Sequence, residues 1–579
     1  MIEKALLLVE PSEISVAGRL EKLLTAFGIA CRQLTLSEFL ASVDISDGKS
    51  KFRLLTTSAV FLKLVEVLGK NSEATAGWQR NVHSAFIFPG NDSASFEKLA
   101  KQITGDINTS LAGTNQGSDW FVSNKLPDFC KSMSGVRVMA VNGAEAVLVF
   151  DESKSNTMKI ISTTNGAAFV RSEFQSVPVF LSTAGIIDVE AGLTARSFDI
   201  RQHFLQATPI VMYVKWALAG MCWQPPETGA CLVIDDPPLK PRYGFLKFQH
   251  LLNLMERVNF STSIAFIPWN WNRSARKTIR LFQENPKRFS LSVHGCDHTG
   301  GEFGSRNRGR LAWKSRQAMQ RMARHKSRTG LPHDPVMVFP QGVFSEAAMG
   351  ELKCGDFIGV VNSEVISADP QPRTIKIADY WDVAVMNYSD FPIFTRRYPW
   401  AGVENFAFDI LLGKPCIVVV HQNDCHDNCR HVIEFIERLN QLNARLCWTN
   451  LAEVVRRSFR QRENSSGVVE IEMYGREARI ENPSGVKRNF HFRKREAAPE
   501  TIKEIRMAAQ PVKWTAAENH VAFESELNPG ESKTIAITFN ESAGSRFAGE
   551  SLRYRAKAML RRYLCEIRDN YIMRKSFSK

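Results

Sequence analysis

The sequence predicts an α/β protein built on a (β/α) partial barrel of about seven strands, with an N-terminal α/β domain and a C-terminal β-sandwich. Three observations predict it. Short β-branched runs alternate with amphipathic helical patterns through the middle of the chain. The same rhythm, on a smaller scale, opens it. Beyond residue 467 the helical period gives way to short alternating strands broken by turn signals such as "NPGES" (528–532).

At 579 residues the chain is too long for one core. Residues 1–198 read as the N-terminal α/β domain: "ALLLV" (5–9), a helical pattern near 14–27, "IACRQL" (29–34), a helix near 58–69 and "AFIFP" (85–89), with an added β-rich part at 136–190. The turn "EPSE" after the first strand lacks the glycines of a dinucleotide fingerprint, so no cofactor is expected there. Residues 199–460 hold the barrel, entered through a helix at 199–219, and "RRSFRQRENSSG" (456–467) reads as a linker. Residues 467–545 form a small antiparallel β-sandwich and 546–579 a basic helical tail.

The charge is lopsided. Of the net +14, half sits in residues 551–579, which hold nine lysines and arginines against two acids. Such a tail reads either as a contact for an anionic partner or membrane surface or as a solvated helix. No aromatic-interleaved nucleic-acid motif accompanies it, so no nucleic acid is expected. The N-terminal apolar run is too short for a secretory signal, "PIVMYVKWALAGMCW" (209–223) is interrupted by Lys215 and too short to span a bilayer, and the eleven cysteines show no regular spacing. These features predict a cytoplasmic protein with reduced thiols.

The chemistry gathers at the ends of the central strands. "CLVIDDPP" (231–238) puts two adjacent carboxylates, Asp235 and Asp236, where a buried strand stops. Neighbouring like charges repel unless a cation lies between them or one carries a proton for a purpose; the bland alternative is a helix cap before Pro237 and Pro238. A later strand, "FSLSV", runs into "HGCDH" with His294 and His298, another ends in "FPQG" with Pro340 and Gly342, and "CIVVV" ends in His421. In a barrel with strands in chain order, these segments finish on one rim. Two imidazoles and a carboxylate are a common ligand set for a hydrolytic divalent metal.

This ordered set resembles the polysaccharide deacetylase superfamily over roughly residues 228–455. The resemblance implies a metal-dependent hydrolase that removes an acetyl group from an N-acetylated sugar, oligosaccharide or glycoconjugate. It makes Asp236, His294 and His298 the ligands of a divalent ion, zinc first among several compatible metals. Asp235 becomes the general base and His421 the general acid. Three positions depart from the family pattern: Gly295 replaces Ser or Thr, Val338 stands where an Arg normally orients the catalytic Asp, and "HQNDC" replaces His-Asp. Arg373 is the candidate substitute for the missing Arg, and "DYWD" (379–382) for a further Asp- and Trp-containing motif. The rival readings are hydrolysis of another C–N or ester bond, and a non-catalytic carbohydrate-binding protein on a degenerate barrel.

Trp269 and Trp271 in "FIPWNWN" either stack on sugar faces or pack the rim. Cys425, His426, Cys429 and His431 form either a loop with free thiols or a second zinc site without a convincing partner pair. The basic helix near 312–328, with Lys314, Arg316, Arg321, Arg324, Lys326 and Arg328, reads as a solvated outer barrel helix or as a clamp for an acidic glycan.

Overall fold

The computed structural model describes residues 4–45, 51–90, 92–114, 117–139, 141, 145–540, 547 and 549–572. In the N-terminal region, the strands Lys4–Leu8, Cys31–Leu34, Phe52–Thr57 and Val82–Phe88 pair in parallel, joined by helices that include Ile14–Ala26 and Ser58–Leu68. The β-rich part continues this sheet rather than adding a separate one. Val177–Ser182 lies parallel to Val82–Phe88, and Gly166–Phe174 and Met158–Thr163 follow antiparallel, giving eleven strands in all.

The helix Phe204–Ala217 is buried almost throughout, which is why its sequence reads apolar on every side. Tyr213 packs on Phe86 and Phe180 of the N-terminal sheet, while the helix Val403–Leu412 of the barrel lies against its other side. Lys215 stays inside by donating to the Trp223 carbonyl at 3.0 Å. No helix among the described residues is long and apolar enough to cross a membrane.

The central strands are β1 (Thr228–Asp235), β2 (Thr262–Phe266), β3 (Phe289–His294), β4 (Val336–Val338), β5 (Gly359–Asn362), β6 (Ile393–Thr395) and β7 (Cys416–His421). They are parallel and lie in the order β6-β5-β4-β3-β2-β1-β7, with Leu446–Trp448 branching from the start of β1. Just past β6, Arg397 bonds Ile417 and Val419 of β7 through its backbone N–H and C=O, so the curved sheet meets itself. Buried on both faces, the strands need no polar alternation, hence runs such as "CLVI" and "CIVVV". Every strand therefore delivers its last residue to one rim.

Leu451–Arg457 is a helix and Arg460–Glu463 a strand paired with Val469–Met473, so the stretch 456–467 is not the linker its basic composition suggested. Its cations are neutralised in place: Arg456 by Glu477 at 2.7 Å, Arg460 by Asp382 and Glu472, and Arg462 by Glu470. Beyond it a five-stranded and a four-stranded sheet enclose Ile471, Phe492, Ile505, Ile535 and Ile537. One pair, Val469–Met473 with Arg488–Arg495, is parallel, unlike the all-antiparallel expectation. The C-terminal helix Leu552–Ile567 returns to the barrel rim; residues 573–579 of the basic tail lie outside the described residues.

Candidate active site

Five residues around the strand ends have left-handed backbone: Asp236 (φ 83°), Gly295 (φ 63°), His298 (φ 56°), Gln341 (φ 59°) and Gly342 (φ 71°). For a non-glycine residue this costs on the order of 1–3 kcal/mol, and such strain persists where the fold aims a side chain. The turn at Asp236 presents its carboxylate to the rim, and the turn at His298 brings its ring back beside His294. Gly295 is required by space as well as by φ, since a Cβ there would collide with Glu302 Oε1 and the Pro340 ring. That accounts for glycine where the related pattern has Ser or Thr.

The Nε2 atoms of His294 and His298 lie 3.3 and 3.0 Å from Asp236 Oδ1. Yet that oxygen is buried and accepts no hydrogen bond from any described residue. His294 Nδ1 is 3.0 Å from the Val338 carbonyl, which can only accept, so Nδ1 carries a proton, and in the neutral ring that a metal ligand requires the Nε2 lone pair faces Asp236. Lone pair facing lone pair is repulsive without a cation between them. Donor atoms bonded to one divalent ion at about 2.1 Å stand roughly 3 to 3.4 Å apart, as each imidazole nitrogen does from Asp236 Oδ1, and all three donors lie within 4.8 Å of one another. Asp236, His294 and His298 are the one group of three or more such donors found among the described residues. The residues fit a divalent metal, and the N2O donor set is one that zinc accepts along with its first-row neighbours.

Beside this cluster, Asp235 is held by Arg396, the residue after β6. The guanidinium grips both carboxylate oxygens, Nη1 to Oδ1 and Nη2 to Oδ2, each at 2.7 Å. Burial alone would push the Asp235 carboxyl up; the charge of Arg396 overcomes it and holds it below the usual carboxylate range. Arg396 thus does what an Arg at Val338 would have done, reaching the same carboxylate from a different strand. Arg373 does not: it pairs with Glu346 at 2.6 Å on the surface. In "DYWD", Asp379 caps its own helix and Asp382 binds Arg460 and Tyr474, so neither joins the site.

His421 lies opposite Asp235 in the β1–β7 register. Its ring is parallel to Tyr398 (centroids 5.9 Å apart), which stacks in turn on exposed Trp400 at 3.8 Å. Asp235, Asp236, His294, His298, Gly342, Arg396, Tyr398 and His421 line one cavity of about 350 Å³. Pro340 packs at Gly295, and Asn362 anchors Gly342 by donating to its carbonyl at 2.9 Å. Trp269 and Trp271 are not among the lining residues. Trp269 packs edge-on to Tyr563 of the C-terminal helix, and Trp271 lies under Arg324, because the loop after β2 turns outward to meet those cations.

A second buried charge cluster holds the histidine loop. Glu302 accepts from the backbone N–H groups of Cys296 (2.7 Å), Asp297 (3.2 Å) and His298 (3.0 Å). Lys314 bridges Glu302 (3.3 Å) and Asp297 (2.8 Å), and Arg321 binds Asp297 at 2.6 Å. Burial would lower the Lys314 ammonium; Glu302 and Asp297 overcome it and hold it above the ordinary lysine value. Of the eight lysines and arginines of the basic helix, which runs Arg308–Thr329, Lys314 and Arg321 therefore face inward rather than solvent. In the loop after β7, Cys425 and Cys429 are buried side by side, whereas His426 turns to the Asn423 carbonyl and His431 to Asp427 and Glu434.

Arg396, Glu302 and Tyr398 were missed by sequence reasoning, and Lys314, read as solvated or as part of a glycan clamp, is buried against Asp297 and Glu302. Arg396 follows a three-residue strand with no motif around it and none predicted there; the one signal was the pair of arginines in "TRRYPW". The C-terminal helix was also missed as a wall of the cavity, to which it contributes Arg561, Arg562, Cys565 and Arg568.

No family model and no curated protein matches the chain. Solved structures similar to it include a putative polysaccharide deacetylase from Mycobacterium smegmatis, 14% identical, covering 39% of this chain and 90% of that one, TM-score 0.28. A family 4 carbohydrate esterase from Streptomyces lividans in complex with acetate is 12% identical, over 38% of this chain and 91% of that one, TM-score 0.23. A Streptococcus mutans CE4 esterase is 11% identical, over 44% and 92%, TM-score 0.26. The class is defined by the side chains themselves: a parallel (β/α) partial barrel whose strand ends gather a two-histidine, one-carboxylate cluster beside an arginine-held aspartate.

Proposed function

We propose that the protein is a metal-dependent hydrolase that removes an acetyl group from an N-acetylated sugar, oligosaccharide or glycoconjugate. The observation that supports it most is the unsatisfied Asp236 Oδ1 between two imidazole nitrogens, one residue from the arginine-held Asp235. Asp236, His294 and His298 would hold a divalent ion, which when bound supplies Lewis-acid polarisation of an acyl carbonyl and acidifies water. Asp235, ionised and fixed in direction by Arg396, takes the proton of the attacking water on a lone pair that Arg396 leaves free. His421, on the neighbouring strand, gives a proton to the departing amine, its ring plane kept by Tyr398. Arg396 also removes the main argument for a degenerate, non-catalytic barrel, namely the valine at 338.

The test is metal content with acetate release. The purified protein should hold about one equivalent of transition metal or take it up from added zinc or cobalt, and His294→Ala should abolish this. Asp235→Asn should keep the metal and lose about 10²- to 10⁴-fold in acetate release. A wild type that neither holds nor takes up metal sinks the proposal. Hydrolysis of non-acetyl amides or esters at rates equal to acetylated sugars would transfer it to another C–N or ester bond.

A further inference from the structure

The C-terminal helix is fastened across the rim by its own acids and polar groups. Glu566 pairs with Lys240 and with Arg273 at 2.5 Å, Asp569 accepts from the Tyr243 hydroxyl at 2.5 Å, and Asn570 accepts from the Gly244 N–H at 2.9 Å. Farther along, the Tyr554 hydroxyl meets Lys314 at 2.8 Å and Thr299 at 2.6 Å. These contacts consume both of the helix's carboxylates and leave its arginines turned to the cavity.

Those arginines are under-neutralised. Arg568 pairs with Asp569, but Arg561 and Arg562 make no ion pair with any described residue. Arg562 is 7% exposed, its Nε has no hydrogen-bond partner, and its Nη2 reaches no better than the His298 carbonyl at 3.3 Å and Nδ1 at 3.4 Å. None of the carboxylates on the opposite wall pairs with these arginines: Asp235 is held by Arg396, Glu364 by Arg196 at 2.9 Å, and Asp236 points at the two imidazoles. A buried guanidinium without a counter-charge is costly, and the partner that best satisfies its planar fork is an oxyanion. Hydrolysis of a neutral acetamide makes no use of this wall.

We infer that the substrate of this site carries an oxyanion, a phosphoryl or carboxylate group, that is received by Arg561, Arg562 and Arg568 while its acetyl group faces the Asp236 cluster. The inference rests on the deacetylase reading for the acetyl group, but anion binding is measurable without turnover. The basic tail then serves as the specificity wall of the cavity.

Calorimetric titration of inorganic phosphate, and separately of glucuronate, into the full-length metal-loaded protein tests it. Phosphate or glucuronate should bind to the wild type, at least about tenfold more weakly to Arg561→Gln/Arg568→Gln, and nearly as well to Arg561→Lys/Arg568→Lys, which keeps the charge. The tighter of the two anions identifies the source. No binding by the wild type, or equal binding by the glutamine variant, overturns the inference. Acetate release from N-acetylglucosamine 1-phosphate and from neutral methyl N-acetylglucosaminide separates the two claims. Equal rates would remove the anionic substrate while leaving deacetylation intact. Arginine-dependent anion binding with no acetate from either sugar would leave the anion wall and remove the deacetylase reading.

Discussion

Two buried charge clusters lie within a few residues of each other on the same rim and differ in one respect. Around Lys314 every carboxylate has partners: Asp297 and Glu302 are met by an ammonium, a guanidinium and three backbone N–H groups. Around Asp236 one buried oxygen has none, the backbone is strained, and the cluster opens on a cavity. A closed network contributes to stability because breaking it strands charges. The open one holds charges for something that arrives from outside. A satisfied network beside an unsatisfied one is thus a physical way to tell scaffold from chemistry.

The largest effect should come from breaking the open cluster. Asp236→Asn removes a ligand and a charge, so metal content should fall from about one equivalent to none and acetate release by more than about a thousandfold. Its stability, followed by urea unfolding without added metal, should be unchanged or up to about 1 kcal/mol higher, because Asn tolerates a positive φ and no orphaned carboxylate remains. A large loss of stability would erase the distinction between the clusters.

Breaking the closed cluster should do the reverse. Lys314→Met leaves Glu302 without its ammonium and Asp297 with Arg321 alone, and should cost about 3–5 kcal/mol in unfolding free energy. A loss under about 1 kcal/mol would mean that the network is not structural.

The same helix carries a pH test. Burial lowers His325 from its ordinary value to about 4, with its Nε2 2.8 Å from Ser274 Oγ. A histidine with a depressed folded pKa contributes stability that is complete above the unfolded value near 6.5 and is lost as pH falls toward 4. The loss should reach about 3 kcal/mol at pH 4, and His325→Gln should flatten the stability profile between pH 6.5 and 4. An unchanged profile would exclude His325 as the acid-sensitive group.

The smallest effect sharpens the link between the clusters. Glu302→Gln puts an amide where three backbone N–H groups need an acceptor, loosening the His298 turn. Metal affinity should fall about 10- to 100-fold with the ligands intact. Competition with a chelator measures this, and an unchanged affinity would uncouple the two clusters.

The paired aspartates, the two histidines and His421 were legible because each sits at the end of a β-branched run, and parallel strands buried on both faces place such ends on one rim whatever the loops do. The same logic failed for "RRSFRQRENSSG", whose charges suggest solvent although Asp382, Glu470, Glu472 and Glu477 receive them from elsewhere in the chain. Trp269 and Trp271, for which the sequence left sugar stacking and rim packing open, meet cations outside the cavity.

By itself the sequence determined the strand–helix rhythm, the strand ends and the donor types at them, because these follow from local periodicity and local chemistry. Tertiary structure alone decided that Arg396 rather than Arg373 grips Asp235, that Lys314 turns inward, and that the basic tail becomes a wall of the cavity. Each of those outcomes is the pairing of charges far apart in sequence, and a charge carries no sign of its partner until folding removes the water between them.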